Sequence, residues 1–153
     1  MFGARIVLAT AAALCVGVIS AAAGNVAPGD VKIKNFAVTE SLTGSKGDPA
    51  AGKKYFVNKK LGNCLACHAN KDMSNQLFHG DVGPSLDGVA TRWKPEQLRA
   101  ILVNSKAVFG KDTVMPGFYS LEVGKHVRKD LVGKTILTAE QVEAIVAYLS
   151  TLK

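Results

Sequence analysis

The sequence is poor in the features on which several functional classes depend. It has no run of basic residues, and aromatic residues fill only 7% of its 153 positions, so it offers no stacking platform for nucleic acid. It shows no internal repeat and no alternation of strand and helix patterns, which argues against repeat proteins and parallel α/β folds. It also shows no arrangement of a nucleophile with a base, so we expect no catalysis by this chain's own side chains.

Charge is missing from positions 6–29, which follow a single basic residue, Arg5. This run is rich in alanine and contains Ala21 and Ala23 at the spacing of a cleavage site, which predicts a signal peptide over residues 1–23 and export of the mature chain. Cleavage would leave no stable membrane insertion. An uncleaved membrane anchor is the alternative, because the run is nearly long enough to span a bilayer.

Cysteine is scarce, with three residues in the chain, and cleavage would remove Cys15 with the leader. The remaining two, Cys64 and Cys67, would enter an oxidising compartment in which a free thiol pair does not persist. They must form a disulfide, bind a metal or be consumed by a covalent link. If a covalent link consumes both thiols, the mature chain would have no cysteine left for a covalent sulfur intermediate.

Positive charge, by contrast, is in excess. The 19 basic residues less Arg5 leave 18 against 12 acidic ones, a formal charge of +6 that favours acidic partners. Five lysines flank the two cysteines in sequence, and a solvated helix face is a somewhat better interpretation of them than a docking patch. These residues are Lys53, Lys54, Lys59, Lys60 and Lys71.

The fold predicted from these patterns is all-α, with three or more helices and long loops. Residues 24–47 have no sustained periodicity and should form an extended N-terminal arm, followed by one domain over residues 48–153. The first helix should begin where Asp48 caps it and Pro49 takes its first position, and it should end at Gly62.

Two further helices are predicted. One should begin at Pro95 and stop by Gly110. The other has a capping box formed by Thr138 and Gln141, followed by apolar residues at helical spacing. The loops between the helices are long for a compact domain and need something to pack on, and a large flat apolar cofactor would supply that core.

The stretch GNCLACHANK holds Cys64, Cys67 and His68, and three kinds of site use such residues. A redox disulfide belongs near a βαβ unit, which is not predicted here. A structural zinc site needs four ligands, and His79 is the only plausible fourth. C-x-x-C-H is the attachment motif of c-type haem, with both thiols bonded to the porphyrin and the histidine bound to iron. We therefore expect one covalently bound haem c.

Iron held by His68 needs a second axial ligand from elsewhere in the chain. Met73 is too close in sequence to reach the other haem face, whereas His79, His126 and Met115 could reach it. Met115 is favoured because Pro116 fixes the backbone beside it. The competing interpretation of Met115 is that of a flexible residue filling a gap in the core.

Three further residues are candidates for contacts around the haem. The carbonyl of Pro84 could accept a hydrogen bond from the second ring nitrogen of His68. Arg92 and Trp93 could donate to the haem propionates, although simple packing is an equal alternative for Trp93.

Several longer segments are more specific than the attachment motif alone, among them FHGDVGPSLDGVATR, TVMPGFYS and GKTILTAEQVEAIVAYLSTL. With the attachment motif, and in this order, they resemble the SoxX family, the monohaem subunit of the SoxAX cytochromes of sulfur-oxidising bacteria. The resemblance covers about residues 41–152. It implies a class I cytochrome c fold whose terminal helices cross at Gly52, Phe56 and Tyr148.

The resemblance also implies a function. Cys64 and Cys67 would carry the haem, and His68 and Met115 would bind its iron. In the periplasm, a SoxAX heterodimer couples thiosulfate oxidatively to a cysteine of the SoxYZ carrier, with the sulfur chemistry on SoxA. This chain would then pass electrons towards a downstream acceptor. A free periplasmic electron carrier without a fixed partner is the alternative, and an exported zinc-binding structural module is a third possibility.

Overall fold

A computed structural model describes residues 24–122 and 126–153, and the predicted leader over residues 1–23 lies outside them. The α-helices are α1 (Pro49–Phe56), α2 (Val89–Arg92), α3 (Pro95–Phe109) and α4 (Ala139–Leu149). Short 3-10 helices span Pro28–Asp30, Cys64–Ala66, Lys71–Met73 and Lys129–Leu131. Within the described ranges, no helix is long and apolar enough to cross a membrane. The all-α prediction is confirmed.

The start of α1 agrees with the sequence and its end does not. The carboxylate of Asp48 accepts a hydrogen bond from the amide of Ala50 at 2.9 Å, and Pro49 takes the first helical position. The predicted end at Gly62 is wrong, because the helix stops at Phe56. The side chain of Asn58 accepts from the amide of Lys60 at 2.9 Å and turns the chain instead.

The predicted limits of α3 and the predicted start of α4 are confirmed. Helix α3 begins at Pro95 and ends at Phe109, before a glycine with positive φ. The hydroxyl of Thr138 accepts from the amide of Gln141 at 3.3 Å, while the Gln141 side chain accepts from the amide of Thr138 at 3.0 Å. This reciprocal pair satisfies two amides that a helix start otherwise leaves unpaired.

Helices α1 and α4 cross at very close range. A side chain at Gly52 would overlap the backbone carbonyl of Ala144, so only glycine allows this approach. Beside the crossing, the rings of Phe56 and Tyr148 meet edge to face, with centroids 5.6 Å apart. The crossing fixes the positions of α1 and α4 relative to each other. The last residues of these helices, Phe56 and Leu149, line the cavity described below.

The N-terminal arm packs onto the domain through a buried ion pair. Arg99 of α3 donates to Glu143 of α4 at 2.7 and 3.0 Å, and also to the backbone carbonyl of Val38 at 2.7 Å. The amide of Leu42 donates to the same carboxylate at 2.9 Å. Val38 and Leu42 are buried with the hydrophobic core. The arm is therefore part of the packed structure.

A second polar network joins α1, α4 and the segment after the cysteines. The Tyr148 hydroxyl donates to Asp72 at 2.8 Å and accepts from the side chain of Asn70 at 2.9 Å. Lys53 pairs with the Asp72 carboxylate at 2.8 Å. Burial, and then the hydrogen bond to Asp72, raise the pKa of Tyr148, so its hydroxyl keeps the proton that it donates.

Asp72 should make stability depend on pH in the acid range. Lys53 and then Tyr148 hold its pKa below the ordinary 3.8. Because folding lowers this pKa, the contribution is present at neutral pH and is lost as pH falls through the folded value. The stability difference between wild type and Asp72→Asn should therefore be largest near pH 7 and shrink below pH 3.8. Denaturant titrations across this range test it, and a difference independent of pH contradicts it.

Candidate haem-binding site

An apolar cavity of about 370 Å³ lies at the centre of the fold. Its walls come from α1, α2, α3 and α4, and from loops around residues 62–68, 82–86 and 113–118. The α-helical residues that line it are Phe56, Val89, Leu98, Ile101, Leu102, Phe109, Ile145 and Leu149. The size and the apolar lining are typical of sites for organic cofactors.

The cysteine motif forms one wall of this cavity. Cys64 and Cys67 both line it, connected by the 3-10 helix Cys64–Ala66, and no disulfide joins them. The amide of His68 donates to the carbonyl of Cys64 at 3.0 Å, which closes the turn that holds the three residues together. Burial raises the pKa of the Cys64 thiol to about 12. A thiol so protonated is poorly suited to disulfide exchange, which proceeds through the thiolate.

His68 lines the same cavity with a fixed ring orientation. Its Nδ1 lies 2.7 Å from the carbonyl oxygen of Pro84 and must donate to it, because a carbonyl only accepts. This is the contact proposed for Pro84 from the sequence. With Nδ1 protonated, Nε2 is the ring nitrogen with a lone pair available for a metal.

Met115 also lines the cavity, in the loop between α3 and α4. Its carbonyl accepts a hydrogen bond from Ser105 of α3 at 2.5 Å. The structure therefore brings Cys64, Cys67, His68 and Met115 to one apolar space.

The other candidate ligands lie elsewhere. His79, His126 and Met73 are not among the residues that line the cavity. Both ring nitrogens of His79 already have partners, since Nδ1 accepts from the amide of Asn70 at 3.1 Å and Nε2 donates to the carbonyl of Met73 at 3.0 Å. His79 therefore braces the loop that follows the cysteine motif.

Comparison with known families gives the same cofactor chemistry. The family model of cytochrome c matches residues 49–153. The chain belongs to the cytochrome c family. The expected cofactor is therefore one covalently bound haem c.

Solved structures narrow this assignment. A chain in the crystal structure of SoxXA from P. pantotrophus is 38% identical, with a TM-score of 0.78, and the match covers 85% of this chain and 99% of that one. This cytochrome c is of the SoxX type. The c-type cytochrome SorU from Sinorhizobium meliloti is 26% identical, with a TM-score of 0.44, over 67% of this chain and 87% of that one. A search of curated protein sequences finds no match.

The residues of this cytochrome c fit a haem c on several counts. Two thiols spaced by two residues, an imidazole with Nε2 available and a thioether all border the cavity. Among residues 24–122 and 126–153, no three His, Cys, Asp or Glu side chains form a group that could hold a metal ion. The match to the cytochrome c family model argues against the zinc-binding module.

The two proposed propionate donors have different surroundings in this cytochrome. Trp93 lines the cavity and meets Phe109 edge to face, with ring centroids 5.9 Å apart. Arg92 is not a lining residue. Its guanidinium donates to the carbonyls of Ser85 at 2.8 Å and Asp87 at 2.6 Å. Arg92 thus holds the loop that begins at Pro84 and orients His68.

Gly83 is a site residue to which the sequence alone assigned no role. A side chain there would overlap the imidazole of His68, and its Cβ would lie 2.7 Å from Nδ1. The amide of Gly83 donates to the carbonyl of Cys67 at 2.7 Å, which ties the loop to the motif. The repeated glycines of this loop are the one feature of the sequence that could have pointed to a close approach.

Gly83→Ala should disturb the axial histidine more than it disturbs the fold. The added methyl group must push the ring of His68 away from its hydrogen bond to Pro84. The loop cannot easily move instead, because the amide of Gly83 is bonded to the carbonyl of Cys67. We expect a shift in reduction potential and a changed ferric electron paramagnetic resonance spectrum. Gly29→Ala is the matched control, since a Cβ there meets nothing within 4 Å. Identical spectra for wild type and Gly83→Ala would contradict the tight contact.

Proposed function

We propose that this chain is the electron-transfer subunit of a SoxAX complex, working in the periplasm after removal of residues 1–23. The observation that carries the proposal is the convergence of Cys64, Cys67, His68 and Met115 on one apolar cavity. It occurs in a chain 38% identical to one in the SoxXA structure. When bound, the haem supplies a one-electron couple between ferric and ferrous iron.

The protein's part is to hold the two ligands and to keep the site dry. The bond to Pro84 fixes the tautomer of His68 and strengthens it as a ligand. Met115 supplies a thioether, which favours ferrous iron and so raises the reduction potential relative to a second histidine. The walls of Leu, Ile and Phe side chains limit access of water to the couple.

The sulfur chemistry belongs to the proposed partner. In the coupling reaction, a carrier thiol R–SH and thiosulfate form R–S–S–SO₃⁻, with release of one proton and two electrons. The two electrons would leave through SoxAX, and this chain would relay them one at a time to a downstream acceptor. With Cys64 and Cys67 both used by the haem, this chain has no thiol for that reaction in its described residues.

Co-purification with a cognate SoxA-type cytochrome tests the assembly. The full chain, tagged at its C-terminus and co-expressed with that subunit and the haem-attachment machinery, should elute as a stable one-to-one complex. If the haem-loaded chain instead elutes alone at every concentration tested, the fixed complex is wrong. That outcome would favour the free periplasmic carrier.

A further inference from the structure

Helix α3 is interrupted one turn before the loop that carries Met115 begins. Asn104 has φ −154° and ψ 90°, far from helical values. Its side-chain oxygen accepts from the amide of Ala107 at 3.4 Å and so caps the last turn of the helix. The break comes directly after Leu102 and Val103, whose carbonyls both accept hydrogen bonds from outside the helix.

The loop that follows Met115 uses these two carbonyls. The amide of Phe118 donates to Leu102 at 2.9 Å, and the amide of Tyr119 donates to Val103 at 3.2 Å. Gly117 allows the close approach, because a Cβ there would lie 3.0 Å from the carbonyl oxygen of Val103. The C-terminal side of this loop is therefore hydrogen-bonded to α3 just before the break in the helix.

Ser105 holds the loop at Met115 itself. It follows the break directly and is fully buried, at 0% exposure. Its hydroxyl donates to the carbonyl of Met115 at 2.5 Å and lies 3.4 Å from that of Pro116. One residue further on, the Lys106 ammonium donates to the carbonyl of Thr113. Helix α3 therefore holds the backbone of this loop by hydrogen bonds before Met115, at Met115 and after it.

We propose that Ser105 is a positioning residue for the thioether ligand, and this rests on the proposed role of Met115 as an axial ligand. A thioether is a weak ligand for ferric iron, so exogenous bases compete with it whenever its loop is free to move. The hydroxyl of Ser105 fixes the peptide from which the Met115 side chain extends. It thereby favours the ligand-bound arrangement over one in which the loop swings away.

Imidazole binding to the ferric protein separates positioning from stability. In Ser105→Ala, the carbonyl of Met115 loses its buried donor, and we expect imidazole to bind about tenfold more tightly, in line with the usual cost of such a loss. The far-red charge-transfer band of the Met–Fe(III) bond should weaken in parallel. Ser105→Thr keeps the hydroxyl and should restore both measurements towards wild type.

Ser150→Ala is the matched control, because its hydroxyl also donates to a backbone carbonyl, that of Val146, at 2.7 Å. It should leave imidazole affinity unchanged. Lys106→Met provides a second variant at a less buried site. It should also bind imidazole more tightly than wild type, but by a smaller factor than Ser105→Ala. If Ser105→Ala retains wild-type imidazole affinity and band intensity, the positioning role of Ser105 is wrong, even where stability falls.

Met115→Ala distinguishes this failure from failure of the ligand assignment. It should abolish the far-red band. A band that survives in Met115→Ala would show that another residue is the ligand. Loss of the band there, together with a wild-type response in Ser105→Ala, would overturn the role of Ser105 alone.

Discussion

Alanine at both Cys64 and Cys67 is expected to abolish covalent haem attachment. Among the described residues, the two thiols are the only side chains at the cavity that can form thioethers, so haem that still enters would be held by axial ligands alone. The variant should accumulate poorly as well, because a fold built round an apolar cavity of about 370 Å³ loses much of its core without a fixed occupant. Denaturing electrophoresis followed by haem staining measures the covalent fraction directly, and it should fall to zero.

Cys15→Ala is the control for this experiment. Cys15 belongs to the expected leader, outside the described residues, and its loss should leave the staining of the mature band unchanged. Covalent haem in the Cys64/Cys67 double variant would contradict the attachment site.

The second large effect is expected at the buried ion pair. Arg99→Ala leaves the carboxylate of Glu143 buried with the amide of Leu42 as its remaining donor. Breaking one partner of such a pair costs about 3–5 kcal/mol in the free energy of unfolding. The carbonyl of Val38 also loses its donor, so the N-terminal arm should loosen first. Denaturant unfolding measures the total loss in the free energy of unfolding. The rate of proteolysis between residues 24 and 47 measures how far the arm has loosened.

Arg128→Ala removes a comparable ion pair that is exposed. Arg128 and Asp130 also meet at 2.7 Å, but both side chains are more than half exposed. Solvent screens the charges of such an exposed pair, so its loss should change the free energy of unfolding very little. If Arg99→Ala costs no more than Arg128→Ala, the buried pair does not hold the arm.

Local rules explain what could be predicted from the sequence. Asp48, Pro49 and the pair Thr138 and Gln141 mark helix starts through contacts between residues at most three positions apart. The attachment motif is equally local, since Cys64, Cys67 and His68 fall within five positions. Patterns of this kind are visible without knowledge of the tertiary structure.

The structural features that could not be predicted from the sequence depend on contacts between residues far apart in the chain. Arg99 and Glu143 are 44 positions apart, and Glu143 binds the amide of Leu42 across 101. The break at Asn104 in α3 is compensated by amides of the loop beyond Met115, so helical periodicity alone could not show it. The arm was predicted as merely extended for the same reason. Its buried residues pack on helices that follow much later in the chain.

Arg92 and the lysines near the motif show a related difficulty. Charge in the sequence does not reveal whether a side chain faces a ligand, a backbone carbonyl or solvent. Arg92 bonds to the loop after Pro84, and Lys53 pairs with Asp72, while Lys71 lies 3.8 Å from Asp87. Two of the five flanking lysines thus have acidic partners within the chain.

We propose that this chain accepts the electrons released when thiosulfate is coupled to a carrier thiol. The most direct test follows the absorbance of its oxidised haem after mixing with thiosulfate, a cognate SoxA-type subunit and a SoxYZ-type carrier. We expect the haem to be reduced only when both proteins are present with thiosulfate. Reduction by thiosulfate alone, or a haem that stays oxidised in the complete mixture, would contradict it.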